Sequence, residues 1–432
     1  MLIIALAILL AILVGLFFRP GFYAPYAEGR TYVDMAGGNH SNLYSYYAGR
    51  VLHPLTAGFV AHLFHTPVDA RVFIWISAAA LMGLFLFVAI QYGLDYSYAG
   101  GLWLFFLMTA AVVDAYRNYY WHDLFYAAVC ALFFLALRTN VWMALPVLFL
   151  LYLTRESTII LVAAFVLIAA VRREWKICAA AAAVGFVAMR VDAALLARAL
   201  PNNEGISLVL LDFLKIPYNF IHNILGLELW TNTIAATTDP PIWTMHVPAW
   251  LHIGQMREIG YSGFFWENPA RTLLALLTAF GILPLVVIRA VARNWKPFLR
   301  ERFDILTALV YGGLMFALAP LVGTDPERYI LYAWPVFWIF GVRALNAAPF
   351  TEKKRAEIVM LSLVVAWIPA IVRRLEGPVT GAESFSSVNA WGLVLSLALA
   401  IGAYVVAWLM LQSSPAESPA RVSPAVRSSV PI

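Results

Sequence analysis

Apolar runs long enough to cross a bilayer dictate what this chain can fold into. A membrane-spanning helix takes about 20 mostly apolar residues, with a range of roughly 17 to 25. Stretches approaching or meeting that length recur at 2–18, 71–90, 99–115, 123–138, 140–153, 157–171, 177–199, 269–291, 304–322, 329–345, 357–372 and 388–411. The pieces 123–138, 140–153 and 157–171 fall short of it, and bilayer thinning or burial inside a bundle accommodates such spans. Only 12 % of residues are charged and 62 % are hydrophobic, whereas a soluble domain carries about 25 % charged residues. Backbone groups inside hydrocarbon must be satisfied internally, which favours helices. The sequence therefore predicts an all-α polytopic membrane protein of about twelve transmembrane helices. Leu2–Phe18 has no basic start and no A-x-A site close behind it, so it reads as a first span rather than a signal peptide.

Orientation comes from the basic segments RREWK (172–176), RNWKPFLRER (293–302) and TEKKR (351–355). Short Lys/Arg-rich loops stay in the cytoplasm. Counting twelve spans from a cytoplasmic N-terminus puts all three there, and one span more or fewer would separate them. The formal net charge of +5 is thus explained by loops between spans and calls for no nucleic acid partner. The opposite face receives 19–70, 116–122, Thr154–Ser157, 200–268, 323–328 and 373–387, an extracytoplasmic loop layer. In 200–268, Pro217, Asn219 and His222 interrupt the apolar patches Ile206–Leu214 and Ile221–Leu229. That long loop is expected to be partly re-entrant or interfacial, with the Trp-rich 239–252 in the interface belt. Residues 1–411 form one transmembrane domain in this reading. The Ser/Pro-rich tail 412–432 is expected to be disordered and cytoplasmic. Cys130 and Cys178 lie in apolar runs without ligand-spaced partners and read as buried small side chains rather than zinc ligands.

The chemistry concentrates in the outer loops. Arg30–Leu55, the longest polar run before Pro201, carries Asp34, Arg50 and His53. A carboxylate held just above the membrane suits a general base acting on a hydroxyl. Arg50, in R-V-L-H-P-L, suits a lipid phosphate or a nearby carboxylate. Arg155 and Glu156 sit between two short apolar runs without Gly or Pro, and ionisable residues at membrane depth are functional candidates by default. His122 and Asp123 are adjacent, so they do not share a helix face, and a third zinc ligand is missing. Glu327 and Arg328, in T-D-P-E-R-Y, put a guanidinium where a span begins. Each feature also has a bland reading, as a solvated loop acid or a snorkelling interface arginine.

In their order along the chain, these residues resemble the GT-C superfamily of integral-membrane glycosyltransferases. The resemblance is to the bacterial mannosyltransferase and arabinosyltransferase type and covers roughly residues 1–175 and 325–340. It implies a donor sugar carried on polyprenyl phosphate and a lipid, glycan or protein acceptor. It also implies a bacterial inner-membrane location with the active site facing the periplasm. Asp34 matches the family's catalytic acid in the first outer loop. Arg50, His53, His122, Asp123, Arg155, Glu156, Glu327 and Arg328 are the expected substrate-binding residues. Asp34 is followed by Met35 and Ala36 rather than completing D-x-D, so no metal and no other cofactor is expected. A lipid-phosphate leaving group needs no general acid, unlike a leaving alcohol, but it does need cations to hold the developing charge. A lipid-linked polysaccharide polymerase or ligase would share the outer-face arginines. A secondary transporter would instead carry mid-span charges, broken helices and inverted repeats.

Overall fold

The computed structural model describes residues 9, 12–13, 18, 20–25, 28–39, 47, 49–93, 108–196, 215–231, 241–252, 257–298, 302–323, 326–377 and 388–412. Most of the expected first span, the patch Ile206–Leu214 and nearly all of the tail 412–432 lie outside these residues. The described chain is mostly helical. Five helices are long and apolar enough to cross a membrane: α3 (Ala70–Gly93), α8 (Trp175–Leu196), α11 (Phe303–Val322), α14 (Glu352–Glu376) and α15 (Ala390–Gln412). Two more candidate spans are bent. One joins α9 (Glu267–Thr278) to α10 (Leu283–Phe298) at 70°, and the other joins Pro326–Ala333 to Val336–Ala347 at 46°. The described residues therefore hold five to seven candidate spans, against twelve stretches in the sequence.

Helix length explains much of the difference. Asp123–Thr139 (α5), Val141–Tyr152 (α6) and Thr158–Val171 (α7) have 17, 12 and 14 residues. At 1.5 Å rise per residue, α6 is about 18 Å long, well short of a hydrocarbon core of about 30 Å. These three helices still run between the two ends of the bundle. Asn140, whose side chain accepts the Trp142 N–H at 2.9 Å, caps α6 at one end, and Arg155 lies just past the other.

The two ends differ in character. At one, Arg138 donates to Gln91 at 2.6 Å, Arg172 stacks on Phe303 at 5.5 Å and Lys354 lies 5.4 Å over Phe350. The sequence segments 172–176 and 351–355 thus share an end. The opposite end holds the short helices α1 (Glu28–Ala36), α2 (Leu52–Leu63), α4 (Ala110–Arg117) and α12 (Pro326–Ile330), with the segment 154–157. Between the ends lies an apolar core containing Trp334, Phe133, Phe134 and Phe165. The bend between α9 and α10 depends on Gly281, whose φ is +55°. A Cβ there would lie 2.1 Å from the Ser362 carbonyl oxygen, so only glycine lets the bend rest on α14.

Where it is described, the segment 200–268 adds a small sheet to the helices. Leu227–Thr231 (β1), Trp243–His246 (β2) and Glu258–Phe264 (β3) form an antiparallel sheet in the order β1-β3-β2. A π-helical turn, Phe220–Ile224, precedes it. Asn223 donates to the Pro320 and Gly323 carbonyls at 2.7 and 2.8 Å, and Asn219 to that of Leu321 at 3.0 Å. The last carbonyls of a helix have no partner within it, and these two asparagines satisfy them at the end of α11. Ile242, Trp243, Trp250 and Phe264 remain exposed on and beside the sheet, as aromatic side chains do in a membrane-interface belt.

Candidate functional site

α1 positions the first acid. Glu28, Tyr32 and Met35 recur at i, i+4 and i+7 and are buried, which puts them on one helix face. Asp34 lies off that face and is half-buried. α1 ends where Gly38 adopts φ +80° and its N–H reaches the Met35 carbonyl at 3.1 Å, a turn that glycine makes without strain. The buried acid of this helix is therefore Glu28.

Around Glu28 the segments at this end of the bundle converge into one ionic network. Arg50 donates Nε and Nη2 to the two oxygens of Glu156, at 2.8 and 2.5 Å, and Nη1 to Glu28 at 3.2 Å. Arg328 donates Nη2 to Glu28 at 2.9 Å and Nε to Asp123. Arg155 donates Nη1 to Asp123 at 3.1 Å and also to the Tyr332 hydroxyl, which itself donates to Asp123. Three guanidiniums thus face three carboxylates. Aromatic rings wall them in: Arg328 lies 4.2 Å over Trp121, and Arg155 lies 4.8 and 4.6 Å over Tyr329 and Tyr332.

His122 links the halves of this network, and its tautomer follows from its partners. Arg155 Nη1 donates to Nε2 at 2.8 Å, so Nε2 carries a lone pair. Nδ1 then carries the proton and donates to Glu28 Oε1 at 2.7 Å, an oxygen that also accepts from the Tyr32 hydroxyl at 2.7 Å. The ring is neutral. Burial pushes the His122 pKa down to about 4 against the pull of Glu28. Burial pushes the Glu28 carboxyl up, but Arg328, His122 and Arg50 together hold it well below the usual carboxylate range. Burial also opposes ionisation of Glu156, and Arg50 overcomes it, bringing the pKa to about 2. All three carboxylates of the network are committed to guanidiniums, and for Glu28 and Glu156 the lowered pKa makes them weak proton acceptors.

A cavity of about 190 Å³ opens beside the network. Asp123, Glu327, Arg328 and Trp121 line it, joined by Asp114 and Asn118 from the end of α4. Thr278, Ala279 and Leu331 line it too, so both bent helix pairs contribute to its wall. The Arg328 side chain is 15 % exposed. Its Nε and Nη2 are engaged, and among the described residues nothing accepts from Nη1. Arg328 is thus fixed by two acids with donors to spare. No three His, Cys, Asp or Glu among the described residues are grouped as a metal site.

Six of the residues singled out in the sequence meet in the network: Arg50, His122, Asp123, Arg155, Glu156 and Arg328. Glu327 joins the cavity wall. His53 does not enter the network. It is fully buried among the rings of Tyr32, Phe73 and Phe125 at 5.2–5.6 Å, neither ring nitrogen has a partner, and burial lowers its pKa to about 3. Asp34 does not line the cavity, and its carboxylate makes no hydrogen bond or ion pair with another described residue. The sequence reading missed Glu28, Tyr32, Tyr332, Trp121 and Asp114. Only Glu28 and Tyr32 carry a usable signal, the i, i+4, i+7 face they share with Met35. Comparison with protein-family models, curated proteins and solved structures returns no match to this chain.

Proposed function

We propose that this chain is a membrane glycosyltransferase that moves a sugar from a polyprenyl-phosphate donor, held by its phosphate at Arg328, to a hydroxyl acceptor. The observation that carries the reading is Arg328 itself: clamped by Glu28 and Asp123, stacked on Trp121, and facing a cavity with Nη1 uncommitted. A guanidinium held this way offers a preorganised charge to a phosphate whose negative charge grows as the sugar leaves. In the step, a bond forms between the acceptor oxygen and the anomeric carbon. The bond from that carbon to the phosphate oxygen breaks, and the lipid phosphate keeps the electron pair. The acceptor proton passes to a carboxylate. Asp34 takes that role through the resemblance. In its favour, the Glu28, Asp123 and Glu156 carboxylates are occupied by arginines whereas the Asp34 carboxylate is not. The basic end of the bundle faces the cytoplasm in this proposal, and the ionic network faces the periplasm.

One observation favours a second reading, a secondary transporter. Both bent helix pairs border the cavity, and discontinuous helices build transporter sites. Purified protein in liposomes separates the two. With radiolabelled polyprenyl-phosphate mannose or arabinose and a total lipid extract as acceptor, the proposal expects label to move into a new product. Uptake of a solute into the lumen with no covalent transfer would establish the transporter instead.

A further inference from the structure

Between α4 and α5 runs N-Y-Y-W-H-D (118–123), and of these six residues only Trp121 is not buried. The side-chain amide of Asn118 donates to the Asp114 carbonyl at 3.1 Å, and its main-chain carbonyl accepts the Trp121 N–H at 2.8 Å. Tyr119 and Tyr120 sink into a second aromatic core, where both rings meet Tyr23 and Tyr120 also meets Phe73. His122 and Asp123 enter the ionic network. Trp121, anchored on both sides, stays half-buried at the wall of the cavity of about 190 Å³, with its ring centroid 4.2 Å from the Arg328 guanidinium carbon.

Arg328 belongs to α12, the first part of the bent span that ends in α13 (Val342–Ala347). A guanidinium grips phosphate best through a fork of two parallel N–H groups. On Arg328 the Nε and Nη2 fork is spent on Asp123 and Glu28, which leaves Nη1 for a ligand. A single donor group fixes the distance of a phosphate better than its orientation. The indole N–H of Trp121 supplies a second donor. It can only donate, and it makes no hydrogen bond with another described residue. The core indoles of Trp334 and Trp338 also lack a partner, but their N–H groups are buried away from any ligand. Stacking on the guanidinium holds the Trp121 ring in place. At 4.2 Å from the guanidinium carbon, the edge of the indole lies within reach of the same phosphate as Nη1.

We propose that the Trp121 indole N–H is a second donor to the phosphate of the lipid-linked substrate, acting with Arg328 Nη1 to orient it at the cavity. Trp121 has this role only if Arg328 holds that phosphate, as proposed above.

The test uses the full chain in phosphatidylcholine nanodiscs and compares wild type with W121F and W121L. Phe keeps a ring over Arg328 and removes the N–H, and Leu removes both. Farnesyl phosphate is titrated against each protein, with farnesol as the probe that lacks the phosphate, and binding is read from the shift in melting temperature. W121F should bind farnesyl phosphate about tenfold more weakly than wild type, W121L at least as weakly as W121F, and farnesol should bind all three equally. In the transfer assay, kcat/KM for the polyprenyl-phosphate sugar should fall about tenfold in W121F. Farnesyl phosphate binding W121F as tightly as wild type, or farnesol binding weakened as much as farnesyl phosphate binding, overturns the role of Trp121. Transfer by wild type with unchanged kcat/KM in W121F overturns it too and leaves the transferase reading standing. Phosphate-dependent binding that W121F loses, without any transfer by wild type, keeps the Trp121 contact and overturns the transferase reading instead. Should W121F fail to fold, the ratio of the two ligands on W121L carries the comparison.

Discussion

Replacing Glu28 with Gln should destabilise the protein more than any change to Asp34. Glu28 is 4 % exposed and accepts from Tyr32, His122, Arg50 and Arg328. Removing one partner of a buried ion pair costs about 3–5 kcal/mol. Gln keeps an acceptor for Tyr32 and His122, Arg50 keeps Glu156, and Arg328 keeps Asp123. The expected loss is therefore about 2–3 kcal/mol. Asp34→Asn, which disturbs no bond with a described residue, should cost less than about 0.5 kcal/mol. Unfolding in mixed detergent micelles, followed by circular dichroism, measures both. The sign with pH is also fixed. The Glu28 carboxyl titrates lower in the folded than in the unfolded chain. Its contribution is complete above the unfolded value of about 4.3 and disappears as pH falls through the folded value. Glu28→Gln should therefore flatten the acid limb of the stability profile. Equal stabilities for E28Q and wild type, or an equal cost for D34N and E28Q, would refute the central place given to Glu28.

Three other outcomes follow from the same geometry. The folded pKa values of His122, about 4, and His53, about 3, lie below an unfolded value of about 6.5. Stability should thus be full above that pH and fall below it, each histidine adding up to about 1.4 kcal/mol per pH unit; His53→Phe should remove one share of that slope. Asp34→Asn should lower transferase turnover by about two orders of magnitude or more, with EDTA without effect; near-normal turnover in D34N, or EDTA loss restored by Mg²⁺, would reassign the base or install a metal. In a background lacking Cys130 and Cys178, cysteine at Arg374 should react with an impermeant thiol reagent in intact cells while cysteines at Glu174 and Thr351 should not; labelling of all three would overturn the orientation.

The sidedness of the charges was legible in the sequence because apolar runs leave few places for them. That is why Arg50, His122, Asp123, Arg155, Glu156 and Arg328, spread over 279 positions of the chain, meet at one end. The pairings were not legible, since they depend on how short helices tilt above the core. Asp34 drew attention as the acid in the most polar loop, yet the buried face of α1 is set by Glu28, Tyr32 and Met35. The span count was obscured by physics that hydropathy does not record. Gly281 bends one apolar run by allowing a backbone contact, α6 is too short to cross alone, and 99–107 lies outside the described residues. The sheet was hidden by strands of four to seven residues, two of them interrupted neither by Gly nor by Pro yet too short to show alternation.

Donor kinetics of Arg328→Lys test the proposed function most directly. Lysine reaches headgroup depth as well as arginine does, but it cannot hold Glu28 and Asp123 together while still offering a donor to phosphate. With melting temperature measured alongside to confirm folding, kcat/KM for a polyprenyl-phosphate sugar should fall by about 30-fold or more, the equivalent of roughly 2 kcal/mol. If the contact strengthens as phosphate charge develops, the loss lies in kcat; if it is equally strong beforehand, the loss lies in KM. A folded R328K protein with wild-type kcat/KM would show that Arg328 is only an interface anchor and would contradict the proposal.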